Sequence, residues 1–276
     1  MNGGANFDVS GYGVAVTGGA SGLGLAYGEA LAGSGARVTL IDLDADGVAR
    51  EAERLRSEGL DVRSTPADVT DHEALDRAID EAAEEYARLD VVFANAGIDP
   101  GVGFLGAWAG SSRPRIEEGA LERYTDERWK RVIDINLNGV FATARAAVRH
   151  MRPRRSGRII VTTSMAATHV EPAIGHAYAT AKAGARHLVH GLALELAAYN
   201  ITVNAIAPGF FVTNIGGAHA KAAEVQEAMA RDIPMHRVGW PDDIKGLAIF
   251  LASPASAYIT GQEILIDGGW SLGRAD

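Results

Sequence analysis

Six short, largely apolar runs and one mixed strand-like run, spaced apart by helical stretches, constrain this chain more than any other feature. The runs fall at residues 13–17, 37–42, 61–65, 90–94, 157–163, 201–207 and 263–266. Segments with helical periodicity lie between them, at about 22–32, 45–58, 71–88, 125–151, 176–199 and 242–252. A strand that is apolar along its whole length must be covered on both faces. A helix between successive strands returns the chain to its starting edge, so the strands run parallel. The expected fold class is α/β: a single doubly wound domain over residues 1–276, with a seven-stranded, mostly parallel sheet and helices on both faces. Residues 1–10 read as a tail, and 98–124 as a long connection. The 33 glycines exceed the ~7% background, which suits many tight strand-to-helix turns.

The first strand-helix unit carries the most chemistry. Strand 13–17 runs into Gly18-Gly-Ala-Ser21-Gly22-Leu23-Gly24, which opens the helix at about 22–32. Glycines let backbone approach a pyrophosphate closely, and a helix N-terminus presents free N–H groups and a positive dipole end to it. The glycine spacing is Gly-x-x-x-Gly-x-Gly rather than Gly-x-Gly-x-x-Gly. The second strand ends in Asp42, eighteen residues past Gly24, where a carboxylate can accept both hydroxyls of an adenosine ribose. Ala20, Ser21 and Leu43 offer no cation to a 2′-phosphate, so the expected cofactor is NAD.

A proton-transfer constellation lies further along. Tyr178 and Lys182 are four residues apart in the helical stretch 176–199, so they project from one face. A free phenol has a pKa near ~10, and a neighbouring ammonium favours its phenolate form. Ser164 follows the fifth strand, fourteen residues before Tyr178, where its hydroxyl can bind the oxygen that the tyrosine protonates or deprotonates. Such an arrangement can move a proton on an alcohol or carbonyl.

In this order the motifs resemble the short-chain dehydrogenase/reductase family, in its main compact type, from about Gly11 to Gly269. Thr17-Gly18-(x)3-Gly22-x-Gly24 matches its glycine turn, and Asp68-Val69 stands where the family contacts adenine. Asn95-Ala-Gly97 follows the fourth strand, with Ala94 in place of the family's first asparagine. Pro208-Gly209-Phe-Phe211-Val-Thr213 matches its nicotinamide-carboxamide segment. Ser164 to Tyr178 is one residue longer than the commonest spacing. The resemblance implies a Rossmann-type fold and a catalytic tetrad of Asn136, Ser164, Tyr178 and Lys182. Lys182 would also bind the nicotinamide ribose, and Asn136 would hold a water linking Lys182 to solvent. The implied activity is hydride transfer between NAD and a secondary alcohol or ketone. A 3-oxoacyl reductase is the alternative, although such enzymes usually want NADPH and basic docking patches. The enoyl-reductase branch, with its tyrosine and lysine more widely spaced, fits less well. A nucleotide-binding sensor on the same fold would have no need of Ser164, Tyr178 and Lys182 together.

Composition narrows the remaining classes. A formal charge of −9 argues against a general nucleic-acid surface. The basic stretch at 149–155 reads as the solvated end of a helix, where cations suit the dipole. The absence of cysteine excludes disulfides and thiolate chemistry, and His187 and His190 lack a third ligand, so no metal site is expected. No apolar run approaches ~18 residues and the first ten lack a signal pattern, which predicts a soluble, cytoplasmic protein without a membrane partner.

The helix at 176–199 carries alanine, leucine or valine in nearly every direction. One face covers the sheet and the other is free for a partner subunit. A homo-oligomer is expected, and the resemblance implies a tetramer, with a dimer as the alternative. The partner in the cleft is a small-molecule substrate. Phe104, Leu105 and Trp108 of the long connection could roof an apolar or aromatic one, with Met165, His169 and the stretches 165–175 and 216–235 as further walls.

Overall fold

The computed structural model describes residues 6–98, 101–106, 112–213, 215 and 222–273. The strands are β1 (Gly13–Thr17), β2 (Arg37–Asp42), β3 (Val62–Pro66), β4 (Val91–Ala94), β5 (Gly157–Thr162), β6 (Ile201–Pro208) and β7 (Glu263–Ile266). They form one sheet in the order β3-β2-β1-β4-β5-β6-β7. Every pairing in it is parallel, so the sheet is wholly parallel among the described residues. The helices are α1 (Gly22–Gly33), α2 (Ala45–Ser57), α3 (His72–Glu85), α4 (Asp126–Ile133), α5 (Gly139–Arg154), α6 (His176–Leu196), α7 (Ala223–Asp232) and α8 (Pro241–Ala252).

The alternation of side chains along β1 shows how the two layers arise. Val14 and Val16 point into one core, with Ala26 and Tyr27 of α1, Val48 of α2 and Leu251 of α8. Ala15 points into the other, with Ile79 of α3, Ala146 of α5 and Val189 of α6. Side chains that alternate across a strand, with both sets apolar, require cover on both sides. Side-chain oxygens start several of the helices. Asp44 accepts from the Gly47 N–H, Asp71 from those of Glu73 and Ala74, and Thr125 from that of Arg128. Each satisfies donors that the first helical turn leaves without partners.

Strand order reverses between β1 and β4, because β2 and β3 lie on one side of β1 and β4 to β7 on the other. At such a switch point the loops diverge and open a crevice beyond the carboxyl ends of the strands. The opposite, amino edge is tied together by a buried carboxylate. Asp90 accepts the Gly13 N–H at 2.9 Å, two bonds from Arg88 at 2.5 and 2.9 Å, and one from Arg154 at 2.9 Å. These cations and the Gly13 N–H hold its carboxyl below the usual range, against the opposing effect of burial.

The structure departs from the sequence-based expectation in three places. The helix expected over 125–151 is divided: a π turn, Asp134–Asn138, separates α4 from α5. A π turn inserts one extra residue into a helix, and an amphipathic pattern does not reveal that. Helix α7 was not anticipated, since 216–235 read only as a cleft wall. The long connection, in turn, has structure of its own. Val102 bridges Ile174 and Leu105 bridges Arg115, both antiparallel. The N–H groups of Gly103 and Leu105 donate to Ala173 and Pro172 at 3.0 and 3.1 Å. Arg113 reaches Glu171 at 2.6 Å and the Gly106 carbonyl at 2.7 Å. The connection is thereby fastened to the segment that leads into α6.

Candidate active site

Beyond the switch point lies a cleft of about 520 Å³. Its lining brings together Gly18, Ser21, Gly22, Leu23, Asp42, Asn95, Gly97, Ser164, Tyr178, Lys182, Pro208, Gly209, Phe211 and Thr213, all singled out in the sequence. It also includes Ile98, Arg131, Thr162, Thr163 and Ile215, which were not. Thr162 and Thr163 could have been added as neighbours of Ser164. Arg131 carries no motif, and its place follows only from how α4 docks.

Each wall has a local cause. At Gly18 the backbone has φ +70, and a Cβ there would sit 2.9 Å from Ala96 Cα and from Asn95 Nδ2. Only glycine fits such a left-handed, crowded position. Ser21 occupies the N-cap of α1 without making a side-chain cap bond, which leaves first-turn N–H groups of the helix available to an anion. Gly24 faces inward, against the Gly18 carbonyl oxygen, and does not line the cleft. Asp42 ends β2 and accepts the Ala20 N–H at 2.9 Å on one oxygen and the Asp44 N–H at 3.0 Å on the other. Asp42 also lines the cleft. Asn95 donates to the carbonyls of Thr17 and Gly18 at 3.1 and 3.3 Å, joining the glycine turn to the end of β4.

Across the cleft, Ser164 follows β5 in an extended conformation. Its hydroxyl accepts the Ala166 N–H at 3.2 Å, which caps the short 3₁₀ turn Met165–Ala167 and leaves the hydroxyl proton to donate. Lys182 is 3% exposed, and its ammonium donates to the Thr162 carbonyl at 2.8 Å. The same nitrogen lies 5.5 Å from the centre of the Tyr178 ring. Burial pulls the Lys182 pKa down from 10.5 to about 8, because a low-polarity surrounding disfavours the charged form. Asn136 is fully buried in the π turn, and its Nδ2 donates to the Val132 carbonyl at 3.2 Å. Its Oδ1 is buried without a hydrogen-bond partner. A Cβ on Gly97 would lie 2.8 Å from that Oδ1 and 3.7 Å from Lys182 Nζ. The bare Gly97 backbone therefore lets Asn136 and Lys182 approach the same space.

Other expected site residues fall elsewhere. Asp68 does not line the cleft; its carboxylate accepts the N–H and hydroxyl of Thr70, both at 2.8 Å. Val69 is buried against α5 at Gly139. Met165 is buried, His169 bonds to the Thr168 hydroxyl at 2.9 Å, and neither is among the lining residues. Phe104 is likewise absent from the lining. Its ring stacks on His176 with centroids 5.8 Å apart and planes 8° apart. The apolar side chain packs the connection onto the start of α6. Trp108 lies outside the described residues. Among those residues no cluster of His, Asp or Glu could hold a metal ion, and no helix is long and apolar enough to cross a membrane.

A parallel sheet with its crevice at the β1/β4 switch, a glycine turn, and serine, tyrosine and lysine converging on one cleft define a dinucleotide-dependent oxidoreductase architecture. Comparison with known proteins gives the family. The family described as enoyl-(acyl carrier protein) reductase matches residues 18–271. Galactitol 2-dehydrogenase (L-tagatose-forming) of Cereibacter sphaeroides is 36% identical over 268 residues, covering 96% of this chain and 97% of the relative. The 5-keto-D-gluconate 5-reductase of Escherichia coli (strain K12) is 30% identical, covering 95% of this chain and 96% of the relative. Among solved structures, a gluconate 5-dehydrogenase from Burkholderia cenocepacia J2315, in complex with NADP and tartrate, superposes with a TM-score of 0.84 at 31% identity, covering 97% and 98% of the two chains. The chain belongs to the short-chain dehydrogenase/reductase family.

Proposed function

We propose that this chain is an NAD-dependent dehydrogenase that interconverts a secondary alcohol and its ketone. The observation that carries the reading is the meeting, in one cleft, of Ser164, Tyr178 and the buried Lys182 with a glycine turn and Asp42. The residues fit a nicotinamide dinucleotide. The glycine turn and uncapped start of α1 suit its pyrophosphate, Asp42 its adenosine ribose, and Lys182 its second ribose. Pro208, Gly209, Phe211 and Thr213, which line the same cleft, would hold its carboxamide. Once bound, the nicotinamide supplies the hydride chemistry, and the protein supplies position and electrostatics.

In alcohol oxidation Tyr178, as phenolate, removes the hydroxyl proton. Lys182 holds the phenolate by its charge, and the Ser164 hydroxyl donates to the substrate oxygen. The orphan Oδ1 of Asn136 is a ready acceptor for a water beside Lys182, through which protons reach solvent. Asp42 favours NAD, since a 2′-phosphate brought against its carboxylate would place like charges together. The named substrates of the relatives, a sugar alcohol and a keto sugar acid, support a hydroxylated substrate of that size. The apolar preference expected from Phe104 loses support, because that ring packs on His176. The outer face of α6 carries Ala183, His187, Gly191 and Leu194, all exposed, and Leu194 is 84% exposed. A second copy of this chain is the partner that the face suits, and a homo-oligomer follows.

The test is a panel of secondary alcohols, sugar alcohols and hydroxy acids included, followed by absorbance of the reduced dinucleotide. Wild type should prefer NAD to NADP by ~10²-fold in specificity constant, and D42A should narrow the gap mainly by losing affinity for NAD. Y178F keeps the volume and removes the proton carrier, so its turnover should fall at least ~10²-fold with NAD binding little changed. Near-full turnover in Y178F would sink the mechanism. Equal use of the two dinucleotides would show that Asp42 does not face the ribose.

A further inference from the structure

The groups assigned to proton transfer sit on two separate elements. Ser164 follows β5, whereas Tyr178 and Lys182 belong to α6. Nothing in the covalent chain fixes one relative to the other closely, since residues 165–175 intervene. A carboxylate on a third element touches both carriers. Glu263, the first residue of β7, has a side chain only 6% exposed. One of its oxygens accepts the hydroxyl of Thr163, the residue before Ser164, at 2.7 Å. The other accepts Arg186 Nε, one helical turn beyond Lys182, at 2.8 Å.

We propose that Glu263 is a positioning residue for the dehydrogenase site, a buried tether that sets the end of β5 and the roll of α6 against one another. The inference rests on the function proposed above.

Both contacts are of the kind that fixes geometry. Thr163 is 1% exposed; the Ile206 carbonyl accepts its N–H at 2.9 Å and lies 3.2 Å from its hydroxyl, farther than the Glu263 oxygen at 2.7 Å. Its direction, and with it the path of the chain into Ser164, depends on these partners. Arg186 is 40% exposed at its side chain, yet its Nε is aimed at the buried carboxylate. A charge-assisted bond to a carboxylate shielded from water is stronger and more directional than one between exposed groups. Arg186 and Lys182 are four apart and share a side of α6. A roll of the helix that moved Lys182 away from the Thr162 carbonyl would therefore also stretch the Arg186 bond. β7 pairs with β6, whose Ile206 lies opposite Thr162 of β5, so the tether is built into sheet register. A misplacement of about 1 Å between a catalytic group and its substrate can lower a rate by ~10²-fold.

The test compares wild type with E263Q and E263A. In E263A, kcat for alcohol oxidation should fall roughly tenfold or more, while the dissociation constant for NAD, read by fluorescence titration, rises by much less than kcat falls, since only the Lys182 contact to the dinucleotide is disturbed. The cofactor groups at Gly18 to Gly22 and Asp42 lie on other strand ends. E263Q keeps a carbonyl oxygen for Thr163 but loses the charged acceptor for Arg186, and should give an intermediate kcat. Hydrogen exchange of the dinucleotide-free proteins supplies a readout independent of activity. Protection in E263A should drop at residues 163–166 and also at 178–186, with β1 to β3 unchanged. Unchanged kcat in E263A, unchanged exchange at either segment, or a parallel loss of NAD affinity would overturn the tether. A wild type that oxidises no alcohol, with exchange altered at both segments, would instead overturn the functional reading and leave the tether standing.

Discussion

At the scale of single residues, Lys182 is the group whose state the fold changes most plainly. Its ammonium is nearly sealed from water and keeps one described hydrogen bond, to the Thr162 carbonyl at 2.8 Å. Folding therefore lowers its pKa from 10.5 to about 8. A cation whose pKa is depressed in the folded state burdens that state whenever both forms are charged, which holds below pH about 8. Between about 8 and 10.5 the folded protein has released the proton and the unfolded chain still holds it, so stability gains with rising pH. The difference in unfolding free energy between wild type and K182M, measured by denaturant titration, should move in favour of wild type across that window. A difference that stays level would mean that the ammonium is better solvated than its surroundings indicate. Dinucleotide binding should weaken in K182M, since the same nitrogen is assigned to the ribose.

Elements decide whether such residues meet, and here the reading of the sequence was uneven. The seven strands fall within a residue of the expected segments. The central ones, β1, β4 and β5, were the plainest because strands buried on both faces leave an uninterrupted apolar signature; the edge strand β3 is only partly buried. Tyr178 and Lys182 were legible because a four-residue spacing on a helix fixes a shared face whatever the helix packs against. The π turn was not legible. It depends on how Asp134 to Asn138 settle between two helical segments, and Asn136 owes its buried position to it. Nor was the role of Phe104. A phenylalanine in a long connection looks the same whether it roofs a cleft or holds a helix. In the structure Phe104 and Tyr124 both meet His176, at centroid distances of 5.8 and 6.3 Å, two residues before Tyr178. F104A should therefore loosen the first turn of α6 and lower kcat toward large and small alcohols alike. The stacking lost is worth ~0.5–1.5 kcal/mol beyond buried area. A selective loss toward bulky alcohols would restore Phe104 to the substrate wall.

For the whole molecule, the question is which surfaces remain to be covered. The side of α6 away from the sheet exposes Ala183, His187, Gly191 and Leu194 in one line, with Leu194 at 84%. This is the face proposed above to meet a second copy of the chain. L194E should lower the apparent mass on a sizing column without altering the far-ultraviolet spectrum of the protein. An unchanged mass would place the association surface elsewhere or leave the chain monomeric. The two edges of the sheet differ in a way that reaches further. All the groups assigned to chemistry arrive at the carboxyl edge, whereas Asp90, with Gly13, Arg88 and Arg154, fastens the amino edge and takes no part in them. Under mutation the molecule thus has two nearly independent accounts of failure. Damage at the Asp90 end shortens how long the protein survives, and damage at the other end alters what it does while it lasts. A descendant with a new substrate can therefore be reached by changing one edge alone, with the other left as the guarantee that the result still folds.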